Sequence, residues 1–142
     1  MGRLDPLVDE ALATHPDVLL YAGGTNDLPE GPVPMLTGLT RRLRRYVRST
    51  CVVVAVPIFR YAPGSDAEVA RSTAGTRILE QRIDQTGAHA VSYLDLAIAM
   101  GDAGADFWGS GGLGELHAGP EAYPRISTAL ASAVTACGNR SG

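Results

Sequence analysis

Apolar residues recur at Leu4, Leu7, Val8, Ala11 and Leu12, the spacing of one helix face, and Pro16 with the preceding His15 closes that segment. The pattern then changes. Val18-Leu19-Leu20-Tyr21-Ala22 is a continuous apolar run ending in Gly23-Gly24, which predicts a strand covered on both faces and followed by a sharp turn. After a Pro/Gly loop from Pro29 to Pro34, Met35, Leu36, Leu39, Leu43, Tyr46 and Val47 form an amphipathic stripe and predict a second helix. Cys51-Val52-Val53-Val54-Ala55-Val56 is β-branched and unbroken, the strongest strand signal in the chain, and Pro57 ends it. Helical spacing returns at Ala70, Ala74, Ile78, Leu79 and Ile83, within about Asp66 to Gln85, with Gly87 placed as a C-terminal stop. His89-Ala90-Val91-Ser92-Tyr93-Leu94 predicts a third strand. Ala122, Ile126, Ala129, Leu130, Ala133, Val134 and Cys137 predict a final helix.

Helix, strand, helix, strand, helix, strand, loop, helix is the alternation of an α/β domain with a parallel sheet. Ligands of such sheets bind outside the carboxyl ends of the strands, so the loops that follow strands are the places to look for chemistry. Three strands make a small sheet. No repeat, low-complexity tract or linker divides the chain, and residues 1–142 read as one domain.

Composition narrows the chemistry. A chain of 142 residues, 45% apolar and 19% charged, can bury roughly 68–70% of its unfolded surface and is expected to fold without disulfides or metal. Cys51 and Cys137 do not make a disulfide framework. A formal net charge of −3 argues against a general nucleic-acid binder. All twelve basic residues are Arg, so chemistry that needs a lysine amine is excluded: Schiff bases, pyridoxal-phosphate attachment, a P-loop lysine, a Ser-Lys dyad. No window reaches the roughly 20 apolar residues of a membrane span, and no apolar signal-peptide core follows Arg3, which reads as a cytoplasmic chain with no membrane span.

Two segments carry a family resemblance. The segment from Asp17 to Leu28 places Gly24-Thr25-Asn26-Asp27 at the carboxyl end of the first predicted strand. Gly114-Glu115-Leu116-His117, followed by Gly119, Pro120 and Tyr123, leads into the last helix. With Val52-Val-Val-Ala-Val-Pro-Ile-Phe-Arg60 between them, these stretches resemble the third block, the following strand with its proline-containing loop, and the fifth block of the SGNH (GDSL) hydrolases, serine esterases and lipases on a flavodoxin-like α/β fold. The resemblance implies a three-layer, flavodoxin-like parallel sheet with flanking helices that corresponds only to the C-terminal part of that fold. At least one N-terminal βαβ unit, with the Gly-Asp-Ser block of the nucleophile and the oxyanion glycine of the second block, has no counterpart in the sequence.

It also implies roles. Asn26 would donate a side-chain hydrogen bond to the oxyanion, with Gly24, Thr25 and Asp27 shaping its loop, and one such donor is worth about 10²–10³ in rate. His117 would be the general base, a role suited to an imidazole whose pKa lies near working pH. The bland alternatives are a turn built from Asn26 and Asp27, and a surface histidine. The acid that should orient His117 falls at Gly114 and is missing; Glu115, one residue displaced, is a candidate substitute if the loop bends differently. The nucleophile is unknown. Ser65 reads better as a helix cap, and Ser110 owes its candidacy to proximity to His117.

The remaining motifs add little. Gly109-Ser-Gly-Gly-Leu-Gly114 matches Gly-x-Gly-x-x-Gly without the strand and acid that dinucleotide binding needs, so no cofactor is expected. Arg41, Arg42, Arg44, Arg45 and Arg48 read as a solvated helix face near a helix C-terminus rather than a phosphate contact. Phe107 and Trp108 read as packing residues. His15, His89 and His117 show no ligand spacing and the cysteines lack Cys-x2-Cys, so no metal is expected. The implied activity is hydrolysis of a small-molecule carboxylic ester through an acyl-serine intermediate. The alternatives are a non-catalytic remnant that binds a partner, and a homo- or hetero-oligomer that completes the sheet through its open edge.

Overall fold

A computed structural model of the chain describes residues 5–22, 32–58, 66–100 and 118–138. The elements run α1 (Asp5–Ala13), β1 (Val18–Ala22), α2 (Pro32–Tyr46), β2 (Cys51–Val56), α3 (Asp66–Asp84), β3 (His89–Ser92), α4 (Tyr93–Ala99), a 3-10 turn at Pro120–Ala122, and α5 (Tyr123–Gly138). The β-branched run of β2 takes the central position of a parallel three-stranded sheet ordered β1-β2-β3. Val18 pairs with Cys51, and Val53 pairs with His89. Residues Val52 to Val56 are buried because β2 is covered on both faces.

The two faces are unequal. Leu19 and Tyr21 of β1 and Val52, Val54 and Val56 of β2 form one core with Leu39, Leu43 and Tyr46 of α2 and Leu79 and Ile83 of α3. Val8, Ala11 and Leu12 of α1 pack onto the same core. Two crossovers that step the same way across a parallel sheet, with the same hand, put their helices on one face, which is why α2 and α3 share it. On the opposite face, Val53, Val91 and Cys137 pack with Ala129, Ala133 and Val134 of α5. Beyond the carboxyl end of β2, Ile58 joins Leu94, Ala97, Ala122 and Ile126 in a third cluster.

β1 is only half covered. Its partly buried Val18 meets the α5 cluster, but Leu20 is 45% exposed and Ala22 is exposed as well. The sequence run predicted burial on both faces; the structure covers one, because α5 reaches only the amino end of β1.

Three local expectations are corrected. The Pro29–Pro34 loop is shorter than its composition suggests, because α2 begins at Pro32. Proline is accommodated in the first helical turn, where its missing N–H has no partner to lose. The third strand stops at Ser92 rather than running to Leu94: the Ser92 hydroxyl accepts a 3.0 Å bond from the Asp95 backbone N–H and caps α4, a helix the apolar run concealed. Most consequentially, Cys51 and Cys137 form a disulfide, with 5.6 Å between Cα atoms. Sequence separation of 86 residues hid the pairing, which arises because α5 returns across the first residue of β2.

Among the described residues, two turns take left-handed backbone. Gly87, φ 88°, ends α3 at no side-chain cost, whereas His15, φ 53°, ends α1 in a conformation that is unusual for a residue with a Cβ. Among the described residues, no helix is long and apolar enough to cross a membrane.

Candidate functional site

The sheet has two ends, and the sequence directs attention to one of them. β1, β2 and β3 run parallel, so Ala22, Val56 and Ser92 all mark the carboxyl end. Gly24, Thr25, Asn26 and Asp27 follow β1 but lie outside the described residues, as do Ser65, Phe107, Trp108, Ser110, Gly114, Glu115 and His117. Ala22, the last described residue before the first motif segment, ends β1 at this end, and Ala118, the first described residue after the last one, packs on the cluster of Ile58, Leu94 and Ala122 beyond the carboxyl end of β2.

The polar groups described at this end are already occupied. Glu80 of α3, 9% exposed, accepts a short hydrogen bond from the Ser92 hydroxyl and a 2.8 Å bond from Arg77. Arg77 also donates to Asp95 at 2.6 Å. Hydrogen bonds to Asp95 and then to Glu80 hold the Arg77 guanidinium well above its ordinary pKa. Ser92 donates to Glu80 and accepts from the Asp95 N–H, so its oxygen joins β3, α3 and α4 and is not placed as a nucleophile. Burial raises the Tyr93 hydroxyl above its usual pKa. This network locks the third strand to its neighbouring helices.

A different constellation occupies the amino end. A cavity of about 480 Å³ is lined by residues at or just before the starts of the three strands, among them His15, Asp17, Thr50, Cys51, Gly87 and His89. Its walls are tied together. The Thr50 hydroxyl donates to the Pro16 carbonyl, and the Cys51 N–H donates to the Asp17 carbonyl at 3.3 Å. Cys51 opens β2, His89 opens β3, and Cys137 reaches them from the last turn of α5. The two sulfurs and a ring nitrogen of His89 all lie within 4.8 Å of one another. Cys137 is fully buried, while Cys51 and His89 are half-buried and border the cavity.

Sequence spacing missed this group because its members come from three separate elements. One signal was present. Cys51 begins the strongest strand and Cys137 lies on the apolar stripe of the last helix, so both were placed to face a sheet–helix interface. The arginines of α2 and of the turn after it add no site here: Arg41, Arg44, Arg45 and Arg48 are exposed, and Arg45 pairs with Asp9 of α1 while stacking 5.0 Å from the Tyr46 ring centroid. Comparisons with family models, curated proteins and solved structures find no match to this chain.

Proposed function

We propose that the chain is the C-terminal portion of an SGNH-type serine ester hydrolase, with Asn26 as oxyanion donor and His117 as general base, and with the nucleophile supplied by a unit that completes the sheet. The observation that carries this reading is the half-covered β1. In a doubly wound sheet ordered 2-1-3-4-5, the last three strands are consecutive neighbours, as β1, β2 and β3 are here. The helix entering strand 3 and the two helices after it cross in one direction and share a face, as α1, α2 and α3 do; the terminal helix takes the other, as α5 does. Strand 1 of such a sheet pairs with the free edge of strand 3. Its following helix steps the opposite way and covers the face on which Leu20 and Ala22 are exposed. Ala22 and Ala118, the described residues next in sequence to the two motif segments, both lie at the carboxyl end of the sheet.

The chemistry then follows acyl transfer. A serine hydroxyl loses its proton to the His117 imidazole as it attacks the ester carbonyl, and the amide of Asn26 stabilises the oxyanion. Glu115 orients the imidazole if it replaces the acid missing at Gly114. A specific observation favours the second reading, a non-catalytic remnant that binds a partner: glycine at position 114 leaves the usual acid position empty of a carboxylate.

Intact-mass analysis after fluorophosphonate treatment separates the two, applied to this chain and to the chain extended by the codons upstream of Met1. The hydrolase reading expects an in-frame Gly-Asp-Ser and a single adduct on the extended protein. The adduct should be lost on His117→Ala, and ester turnover should fall about 10²–10³-fold on Asn26→Ala. No adduct on either folded protein overturns it.

A further inference from the structure

We propose that Cys51, His89 and Cys137 form a redox-gated metal site: a disulfide when oxidised and, when reduced, a two-thiolate, one-imidazole centre for Zn²⁺ with its fourth position open to the cavity. The site lies at the amino end of the sheet and is independent of the ester-hydrolase reading.

Its geometry follows from the parallel register. Val53 pairs with His89, so Cys51, two residues before Val53, and His89 stand on the same face of adjacent strands. α5 lies on that face and brings Cys137 to them. A tetrahedral zinc ion with bonds of about 2.3 Å to sulfur and about 2.0–2.1 Å to nitrogen holds its donor atoms roughly 3.3–3.8 Å apart. The three donors already lie within 4.8 Å of one another, so the bonded sulfurs must separate and the His89 nitrogen need approach them by no more than roughly 1.3 Å. The 5.6 Å between Cα atoms of Cys51 and Cys137 leaves room for that through side-chain rotation.

The donor set selects the metal. Two soft thiolates with one imidazole suit a borderline-soft tetrahedral ion and not the oxygen-seeking Mg²⁺ or Ca²⁺. Three protein ligands leave a position for water or a small anionic ligand. Here that position faces a cavity of about 480 Å³ bordered by both Cys51 and His89.

The switch balances with a dithiol as reductant. A thiolate of the dithiol attacks Cys51 Sγ, the sulfur on the cavity side, and Cys137 leaves as thiolate. The second thiol of the reductant then displaces Cys51 from the mixed disulfide and closes the reductant's own disulfide. Two electrons and two protons have passed to the protein as two thiols. Zn²⁺ binding releases both thiol protons and completes the centre with neutral His89.

The test uses Co²⁺ as the probe on the purified chain, oxidised or reduced with excess dithiothreitol and freed of it by anaerobic desalting. The reduced chain should bind one Co²⁺ with intense visible bands of a tetrahedral ion and near-ultraviolet thiolate-to-metal charge transfer, and Zn²⁺ should displace it. The oxidised chain should show neither band. His89→Ala should weaken Co²⁺ binding at least about tenfold, given that even losing an outer partner of a ligand costs this much. Thermal unfolding provides a second readout: Zn²⁺ should raise the Tm of the reduced wild-type chain and leave that of reduced His89→Ala nearly unchanged. Absence of tetrahedral Co²⁺ bands overturns the site, as does equal binding by His89→Ala. A reduced chain whose far-ultraviolet circular dichroism is lost and not restored by Zn²⁺ overturns it too.

Discussion

The two ends of this small parallel sheet are built on opposite principles. At the amino end, the segments before each strand are tied to one another: Thr50 to Pro16, Cys51 to Asp17 through the backbone, and Cys51 to Cys137 through a covalent bond. At the carboxyl end, the described polar groups form one network around the nearly buried Glu80, with Arg77 and Asp95 at the surface. Ligand sites of open α/β sheets belong at the carboxyl end, where strand dipoles and helix N-termini converge and loops are free to vary. The amino end is normally reserved for stability. Here it holds a cavity bordered by His15, His89 and Cys51, with Cys137 bonded behind Cys51, so the end that secures the fold also carries reactive groups.

The sharpest way to break this contrast is to remove the covalent tie. A chain-entropy account of a closed loop spanning 86 residues gives about 4.5 kcal/mol, and we expect Cys51→Ala/Cys137→Ala to lose a large share of that in urea unfolding of the metal-free protein. A loss under 1 kcal/mol would mean that the amino end is held by packing and hydrogen bonds alone.

The carboxyl end should yield less. Glu80→Ala removes the acceptor of the Ser92 hydroxyl and one of two carboxylate partners of Arg77 in a nearly buried setting, with an expected cost of about 2 kcal/mol by the same measurement. Asp95 remains to hold Arg77, which is why the network should loosen and not collapse. An unchanged midpoint would show that Ser92 finds another acceptor.

The smallest effect belongs to the half-covered strand. Leu20→Ser, at a side chain 45% exposed, should change the stability of the chain by no more than about 0.5 kcal/mol. In a protein whose sheet is completed over β1, the same substitution enters a buried interface and should cost about 2 kcal/mol or more. Equal effects in the two settings would argue that nothing packs on that face.

Legibility in the sequence followed the range of the interactions involved. β1 and β2 were readable because continuous apolar runs report burial locally, and α3 and α5 because a single face repeats every 3.6 residues over many turns. α4 was hidden: Tyr93 and Leu94 look like more strand, and only the Ser92 cap and the packing of Leu94 and Ala97 against Ala122 and Ile126 convert them into a helix. Half-exposure of Leu20 was hidden for a similar reason, since an apolar residue in a strand does not reveal whether a neighbour covers it. Of the candidate sites, Asn26 and His117 rest on motif order, which needs no three-dimensional contact, and both lie outside the described residues. The Cys51–His89–Cys137 group carries no motif at all.

By itself, then, the sequence determined the alternation of helices and strands, the parallel class of the sheet, and the chemistry excluded by the lack of lysine. These depend on local periodicity and on residue types. Tertiary structure alone decided that two cysteines 86 residues apart become one disulfide, that His89 stands beside it, and that β1 is left with an open face. Such outcomes depend on strand register and on which face each helix returns to, and neither is encoded in the spacing of residues along the chain.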